Sequence, residues 1–309
     1  MGLELELKFL IDAIDESEIE ALLAVAAEIT QQQQQQLLNA YFDTENQWFR
    51  CHDMGLRTRQ NKQGFEQTIK LAGQQHGALQ MRPEFNLPCQ GVVPVLAAFP
   101  TTIWPANTEL VQLQSQLVEL FRTDFNRQSW QLATTKAQIE VVYDRGEVRS
   151  GERRQPISEV ELELLDGDPL ELFRLAEFLL QALPLRAGWL SKAARGYQLY
   201  RQSTTPLPVP LEQSTSAALS LLQRMQRLQQ FECCYQQQLE PRLLAEMVIE
   251  LEQITALLQD DGEQLLASQG RALQRQLQDQ QVLVLSSRAY QLFLLKLSAL
   301  LLQRESGAF

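Results

Sequence analysis

The stretch Leu3-Glu4-Leu5-Glu6-Leu7-Lys8-Phe9-Leu10 decides how the first two thirds of this chain fold. Polar and apolar residues alternate along it. Successive side chains of a strand point to opposite faces, so Glu4, Glu6 and Lys8 share one face and Leu5, Leu7 and Phe9 the other. The same period of two returns downstream. It groups Arg57 with Arg59, Glu66 and Thr68 with Lys70, and Arg82 with Glu84. It also groups Arg122 with Asp124, Glu140 with Asp144, and Glu159 and Glu161 with Glu163. Strands are therefore expected at 3–10, 37–43, 54–61, 65–72, 79–87, 119–125, 128–135, 138–148 and 157–165. Helices are expected at 15–29, capped by Asp15 or Ser17, and at 169–182, opened by Asp168-Pro169. The run Gln31 to Gln36 reads as a solvated loop. Short strands joined by turns point to an antiparallel sheet or barrel.

An antiparallel sheet usually turns its charged face to water. Taken together, these faces argue otherwise. Three glutamates in a row repel one another unless a countercharge or metal stands near. The basic strands carry Arg and Lys at alternate positions, without the mixed sign of an ordinary surface. If the faces converge, they enclose a cavity with an acidic side and a basic side. Arg forks grip phosphate oxygens and Lys adds a point charge. Carboxylates repel phosphate but suit hard cations such as Mg²⁺ or Mn²⁺. A triphosphate held with divalent metal satisfies both sides.

The chain has 309 residues, 45% of them hydrophobic, and a net charge of -11. That charge disfavours binding to nucleic acid or an anionic membrane. Cys51, Cys89, Cys233 and Cys234 show no disulfide or metal-ligand spacing, which fits a cytoplasmic protein with reduced thiols. No signal peptide is evident, and no apolar run reaches the roughly 20 residues of a membrane helix. His52 and His76 read as surface or loop residues, and Trp104, Trp130 and Trp189 as packing residues. Three prolines within Pro206-Leu207-Pro208-Val209-Pro210 disfavour helix, so a linker is placed at 203–213 between a first domain at 1–202 and a helical domain at 214–309. The helical patterns fall at 214–239, 241–259, 263–280 and 285–303. Their Leu stripes predict a small bundle.

Glu4-x-Glu6-x-Lys8 resembles the ExExK signature of the CYTH superfamily, the triphosphate tunnel metalloenzymes. Arg57-x-Arg59, Lys70, Arg82-x-Glu84, Glu159-x-Glu161-x-Glu163 and Ser191-Lys192-Ala193-Ala194-Arg195-Gly196-Tyr197 follow in the family's order. The resemblance covers about residues 1–202. It implies an α+β fold: an eight-stranded antiparallel β-barrel or tunnel with flanking helices, followed here by an all-α helical bundle. The catalytic set it implies is Glu4, Glu6, Lys8, Lys70 and Glu84. Phosphates would be held by Lys8, Arg57, Arg59, Lys70, Arg82, Arg127, Lys192 and Arg195. Metal, Mg²⁺ or Mn²⁺, would be held by Glu4, Glu6, Glu161, Glu163 and Asp144. Arg122, Asp124 and Glu140 are further candidates for the tunnel's inner face. The expected reaction is hydrolysis of inorganic triphosphate; class IV adenylate cyclase chemistry and triphosphate or polyphosphate binding without turnover are the alternatives. Bacterial inorganic triphosphatases carry a CHAD domain after the tunnel. Residues 204–309 resemble a shortened version of it, with no histidine and eight Lys and Arg against eleven Asp and Glu, a net of -3.

Overall fold

The structure, a computed structural model, describes residues 2–62, 64–210, 219–279 and 281–306. The first elements are β1 (Gly2–Leu10), α1 (Glu16–Ala26), β2 (Glu28–Asp43), α2 (Trp48–Cys51), β3 (Gly55–Asn61), β4 (Gly64–Lys70), β5 (Gln74–His76) and β6 (Leu79–Cys89). Then come α3 (Leu110–Ser115), β7 (Val118–Ala133), β8 (Ala137–Ser150), β9 (Arg153–Gly167), α4 (Pro169–Ala182), β10 (Arg186–Ala187) and α5 (Lys192–Arg201). Four helices follow: α6 (Leu221–Gln238), α7 (Pro241–Asp260), α8 (Gln264–Gln278) and α9 (Arg288–Ser306). Strand β1 pairs with β9 on one side and β6 on the other. This closes β1-β9-β8-β7-β2-β3-β4-β6 into an eight-stranded antiparallel barrel. β5 and β10 are short additions to β6 and β1.

Two sequence expectations are corrected here. The Gln run is not a loop: Gln31 to Gln36 lie within β2 and face Gln131 to Asn126 of β7. Glutamine breaks no strand, and the ladder to β7 satisfies its backbone while the side chains stay largely in water, so polarity concealed the pairing. The strands expected at 119–125 and 128–135 are one continuous β7. Its inward face is therefore Phe121, Thr123, Phe125 and Arg127. Arg122 and Asp124 have the opposite parity and point outward, pairing with Glu119 and Arg149.

Small eight-stranded barrels usually fill their interior with packed side chains. Here much of the apolar packing lies outside the wall. Leu7 and Phe9 of β1 share one buried cluster with Ile19 and Leu23 of α1 and Leu172 and Leu179 of α4. The same cluster includes Met225 and Leu228 of α6 and Phe293 and Leu297 of α9. Burying each Leu or Phe contributes about 1.5–3 kcal/mol, so this outer layer stabilises the wall and leaves the inner faces free for charge. The four expected helices form α6 to α9. Residues 211–213 of the expected linker, 214–218 of the expected first helix and 280 of the third lie outside the described residues. Thr204 to Pro210 has no regular secondary structure, and it is tied to α6: Thr205 N donates to Gln237 Oε1 at 2.7 Å and Arg227 Nη1 to Val209 O at 2.8 Å.

No described helix is long and apolar enough to cross a membrane. All four cysteines are free. His76 is buried, 3.1 Å from Glu305, and is not the surface residue expected.

Glu232 of α6 is buried where the helices meet the barrel. One of its oxygens accepts from Trp189 Nε1 (3.0 Å) and Tyr290 OH (2.9 Å), the other from Gln236 Nε2 (3.2 Å). Burial, only partly offset by Tyr290, Trp189 and Arg186, pushes its carboxyl up to about 7. A raised folded-state value favours the neutral acid in the fold. Its stabilising effect is complete below the unfolded value and is lost as pH rises through about 7. Glu232→Gln keeps the shape and the acceptor. It should match wild type near pH 4.5 and exceed it at pH 8 by up to about 3 kcal/mol in urea unfolding. Equal stability at both pH values would contradict this.

Candidate active site

The closed register brings the charged strand faces into one lumen. Glu4 stands opposite Arg82 across β1 and β6, while Glu6 faces Glu163 and Lys8 faces Glu161 across β1 and β9. Lys70 of β4 reaches across to Glu4 (2.8 Å) and Glu84 (2.9 Å), and Arg57 of β3 lies 3.8 Å from Glu84. Arg59 Nε donates to Asn39 Oδ1 of β2 at 2.8 Å. Apart from Asn39, these groups line a cavity of about 470 Å³. A second cavity of about 520 Å³ adjoins it, sharing Gly55, Gln80, Arg82, Ser191 and Ala193, with Arg50 and Asp53 beyond.

Helix α5 lies against β7, β8 and β9, and its first turn enters the lumen. The Ser191 side chain caps it by accepting from Ala194 N, which sets Lys192 at its first position, and Lys192 lines the cavity. Lys192 Nζ stands 2.7 Å from Asp144 and 3.0 Å from Glu161, and also meets Glu159. Arg127 forks onto both oxygens of Asp144 at 2.7 Å and reaches Glu161 at 3.1 Å. Arg195 binds Glu159 at 2.6 Å. Two residues on, Tyr197 donates to the buried Asp43 at 2.6 Å and fixes the helix to the end of β2.

The carboxylates thus fall into two groups. Asp144, Glu159 and Glu161 have cations in direct contact. Burial opposes the charge of Glu161, but Lys192, Lys8 and Arg127 outweigh it and hold the group well below the usual range. Asp144 is likewise lowered against its burial by Arg127 and Lys192. Glu84 belongs with them: Lys70 and Arg57 overcome burial and hold it down to about 2. Glu163 and Glu140 have no such close cation; they stand on β9 and β8 in one row with Glu6 of β1, which keeps Lys8 at 3.5 Å. Burial, then Glu4 and Glu6, pushes Glu163 up to about 8. Burial also raises Glu4 despite Lys70, and Glu140 despite Arg127. Oxygens of Asp144, Glu159 and Glu161 lie within 4.8 Å of one another, a spacing suited to a cation, but Lys192 already stands among them.

Of the residues singled out in the sequence, Glu4, Glu6, Lys8, Arg57, Arg59, Lys70, Arg82 and Glu84 line the cavity. So do Arg127, Glu140, Glu161, Glu163 and Lys192. Asp144, Glu159 and Arg195 stand behind them as buried ion partners. Arg122 and Asp124 are outside the cavity's lining. Sequence reasoning missed Tyr41, which lines the cavity and whose phenol bonds Arg57. Burial opposes ionisation of that phenol, yet Arg57, Lys192 and Arg59 hold it below its usual value. Its signal was its parity with Asn39 and Asp43 along β2, which an apolar neighbourhood obscured.

A closed barrel with a charged lumen and a lysine-bearing helix at its wall defines a class of fold, and the sequence comparisons agree with it. The CYTH domain profile matches residues 2–197, and the chain belongs to that family. It is 36% identical over 203 residues to an inorganic triphosphatase of Haemophilus influenzae, a match covering 63% of this chain and 54% of the relative. The matched region thus spans about half the length of that protein. Among solved structures, a Hippeastrum protein described as having dominant triphosphatase activity is 14% identical with a TM-score of 0.44, covering 66% of this chain and 98% of its own. The RNA triphosphatase domain of a mimivirus mRNA capping enzyme is 11% identical with a TM-score of 0.35, covering 57% and 88%.

Proposed function

We propose that this chain hydrolyses inorganic triphosphate to pyrophosphate and phosphate, with Mg²⁺ or Mn²⁺, by attack of water inside the tunnel. The observation that carries this reading is the division of the lumen. Lys8, Arg57, Arg59, Arg82, Arg127 and Lys192 form a basic lining that can grip phosphate oxygens. Adjoining it, with Glu6 next to Lys8 and Glu4 next to Arg82, is the acid row of Glu6, Glu163 and Glu140 with Glu4 beside it.

The donor set fits a divalent cation. Carboxylate oxygens are what Mg²⁺ and Mn²⁺ prefer, and Glu163, raised first by burial and then by Glu4 and Glu6, stands where a cation would offset both. Glu4, Glu6 and Glu163 would hold it. Asp144 and Glu161 would accept a second only if Lys192 left them for a phosphate. A bound cation would neutralise phosphoryl charge and acidify a water. The protein's own contribution is orientation. Lys70, held between Glu4 and Glu84, is aimed across the lumen, and Arg127, fixed by Asp144, presents a rigid guanidinium. Such fixed charges stabilise a transferring phosphoryl group without reorganising during reaction.

The test is a substrate panel of inorganic triphosphate, ATP, thiamine triphosphate and long-chain polyphosphate, each with Mg²⁺ and Mn²⁺. Phosphate should appear fastest from inorganic triphosphate, and none without metal. Cyclic AMP from ATP would replace this reading with a cyclase, and tight binding without turnover with a binding module.

A further inference from the structure

We infer that helices α6 and α9 position the phosphate-facing lysines Lys8 and Lys192 from outside the barrel, with Glu232 as the positioning residue. This rests on the reading above, in which both lysines hold phosphate. The contact runs through the segment Arg186 to Leu190, which connects β10 to the cap of α5. Glu232 on α6 holds the indole of Trp189, and Tyr290 on α9 donates to the same carboxyl oxygen. Two residues before Trp189, the Ala187 N–H donates to Gln291 Oε1 of α9 at 2.7 Å. The segment is therefore gripped from both helices, at backbone and side chain.

Its inner side touches the tunnel lysines. Gly188 N donates to Lys8 O at 2.9 Å, and the approach is so close that a Cβ on Gly188 would lie 2.8 Å from Lys8 Cγ. Trp189 precedes Ser191 by two residues and Lys192 by three, so its placement sets where α5 starts. The facing turn between β5 and β6 is held in the same way. Gln229 of α6 donates to Gly77 O at 3.2 Å, while Gln75 donates to Trp189 O at 3.0 Å. The next carbonyl, that of Ala78, accepts from Lys8 N at 3.1 Å. Side chains from the helical region thus grip backbone on both flanks of Lys8. None of them enters the lumen, so the arrangement makes sense as support for the lysines rather than as a site in itself.

The test uses the full chain and three variants: Glu232→Ala, Trp189→Phe, which keeps a ring but loses the donor, and Glu232→Gln, which keeps the acceptor. Backbone hydrogen exchange over residues 186–191, read near pH 4.5 where Glu232→Gln matches wild-type stability, should quicken about tenfold or more in Glu232→Ala and Trp189→Phe, and stay at wild type in Glu232→Gln. With inorganic triphosphate, KM should rise about tenfold in the first two while kcat stays within about threefold, as expected when a phosphate grip is misplaced. Unchanged exchange in a folded Glu232→Ala overturns the inference. So does a fall in kcat at constant KM, or a Glu232→Gln as impaired as Glu232→Ala. If the wild type turns over no triphosphate, the proposed function falls, and the exchange measurement still decides whether Glu232 positions the segment.

Discussion

Lys192→Met should lower folding stability by about 3–5 kcal/mol, the range for breaking a buried ion pair from one side. Lys192 stands among three carboxylates, and two of them, Asp144 and Glu159, have fully buried side chains. Methionine matches the stem of lysine in length, so little packing is lost and the effect isolates charge. Arg127 and Arg195 still hold Asp144 and Glu159, which sets the expectation toward the lower end of that range. The urea midpoint should fall with an unchanged slope, since the surface exposed on unfolding is the same. Adding Glu159→Gln to Lys192→Met should recover part of the loss, because removing both partners costs less than stranding one. A midpoint equal to wild type would show that the three carboxylates do not need Lys192.

That prediction depends on contacts that local sequence does not reveal. The face of each charged residue was legible, because a period of two in Leu5-Glu6-Leu7-Lys8 or Val160-Glu161-Leu162-Glu163 leaves one arrangement that buries the apolar side. The partners were not. Lys8 meets Glu161, and Arg127 meets Asp144, only because of how β1 pairs with β9 and β7 with β8. Parity itself failed where an element boundary was misplaced. Splitting β7 put Arg122 and Asp124 on the same side as Arg127, which one unbroken strand forbids. The split of the acids into a neutralised and an unneutralised group is also a cross-strand property. Glu161 and Glu163 are alike in sequence, two residues apart on one face, yet Lys192 and Lys8 lower the first against its burial while burial, Glu4 and Glu6 raise the second. Glu232 lay within the helical pattern at 214–239, where no local signal set it apart. Only the docking of α6 on the barrel makes it a buried acid next to Trp189.

Glu6→Gln should lower metal-dependent phosphate release by on the order of 10²–10³-fold, the range for losing one electrostatic contribution to a transition state. The substitution is nearly isosteric, and the outer face of β1, with Leu7 and Phe9 in the main core, is untouched, so the fold should persist. Glu6 stands between two kinds of neighbour: Glu163 across the strand pair, and Lys8, 3.5 Å away on its own face. Removing its charge therefore weakens a cation's hold and at the same time makes the lumen less repulsive to phosphate. These effects oppose each other, which gives the experiment its sign. Activity at saturating Mg²⁺ or Mn²⁺ should fall, and the metal concentration for half-maximal rate should rise. Binding of inorganic triphosphate without metal, read by calorimetry, should be unchanged or tighter. A variant in which both activity and metal-free binding collapse would assign Glu6 to the scaffold of the phosphate grip. Wild-type turnover with an unchanged metal requirement would remove Glu6 from the site altogether. The paired readout thus separates the acid row as a cation site from the acid row as a structural counterweight to Lys8 and Lys70, which the three raised carboxyls alone do not distinguish.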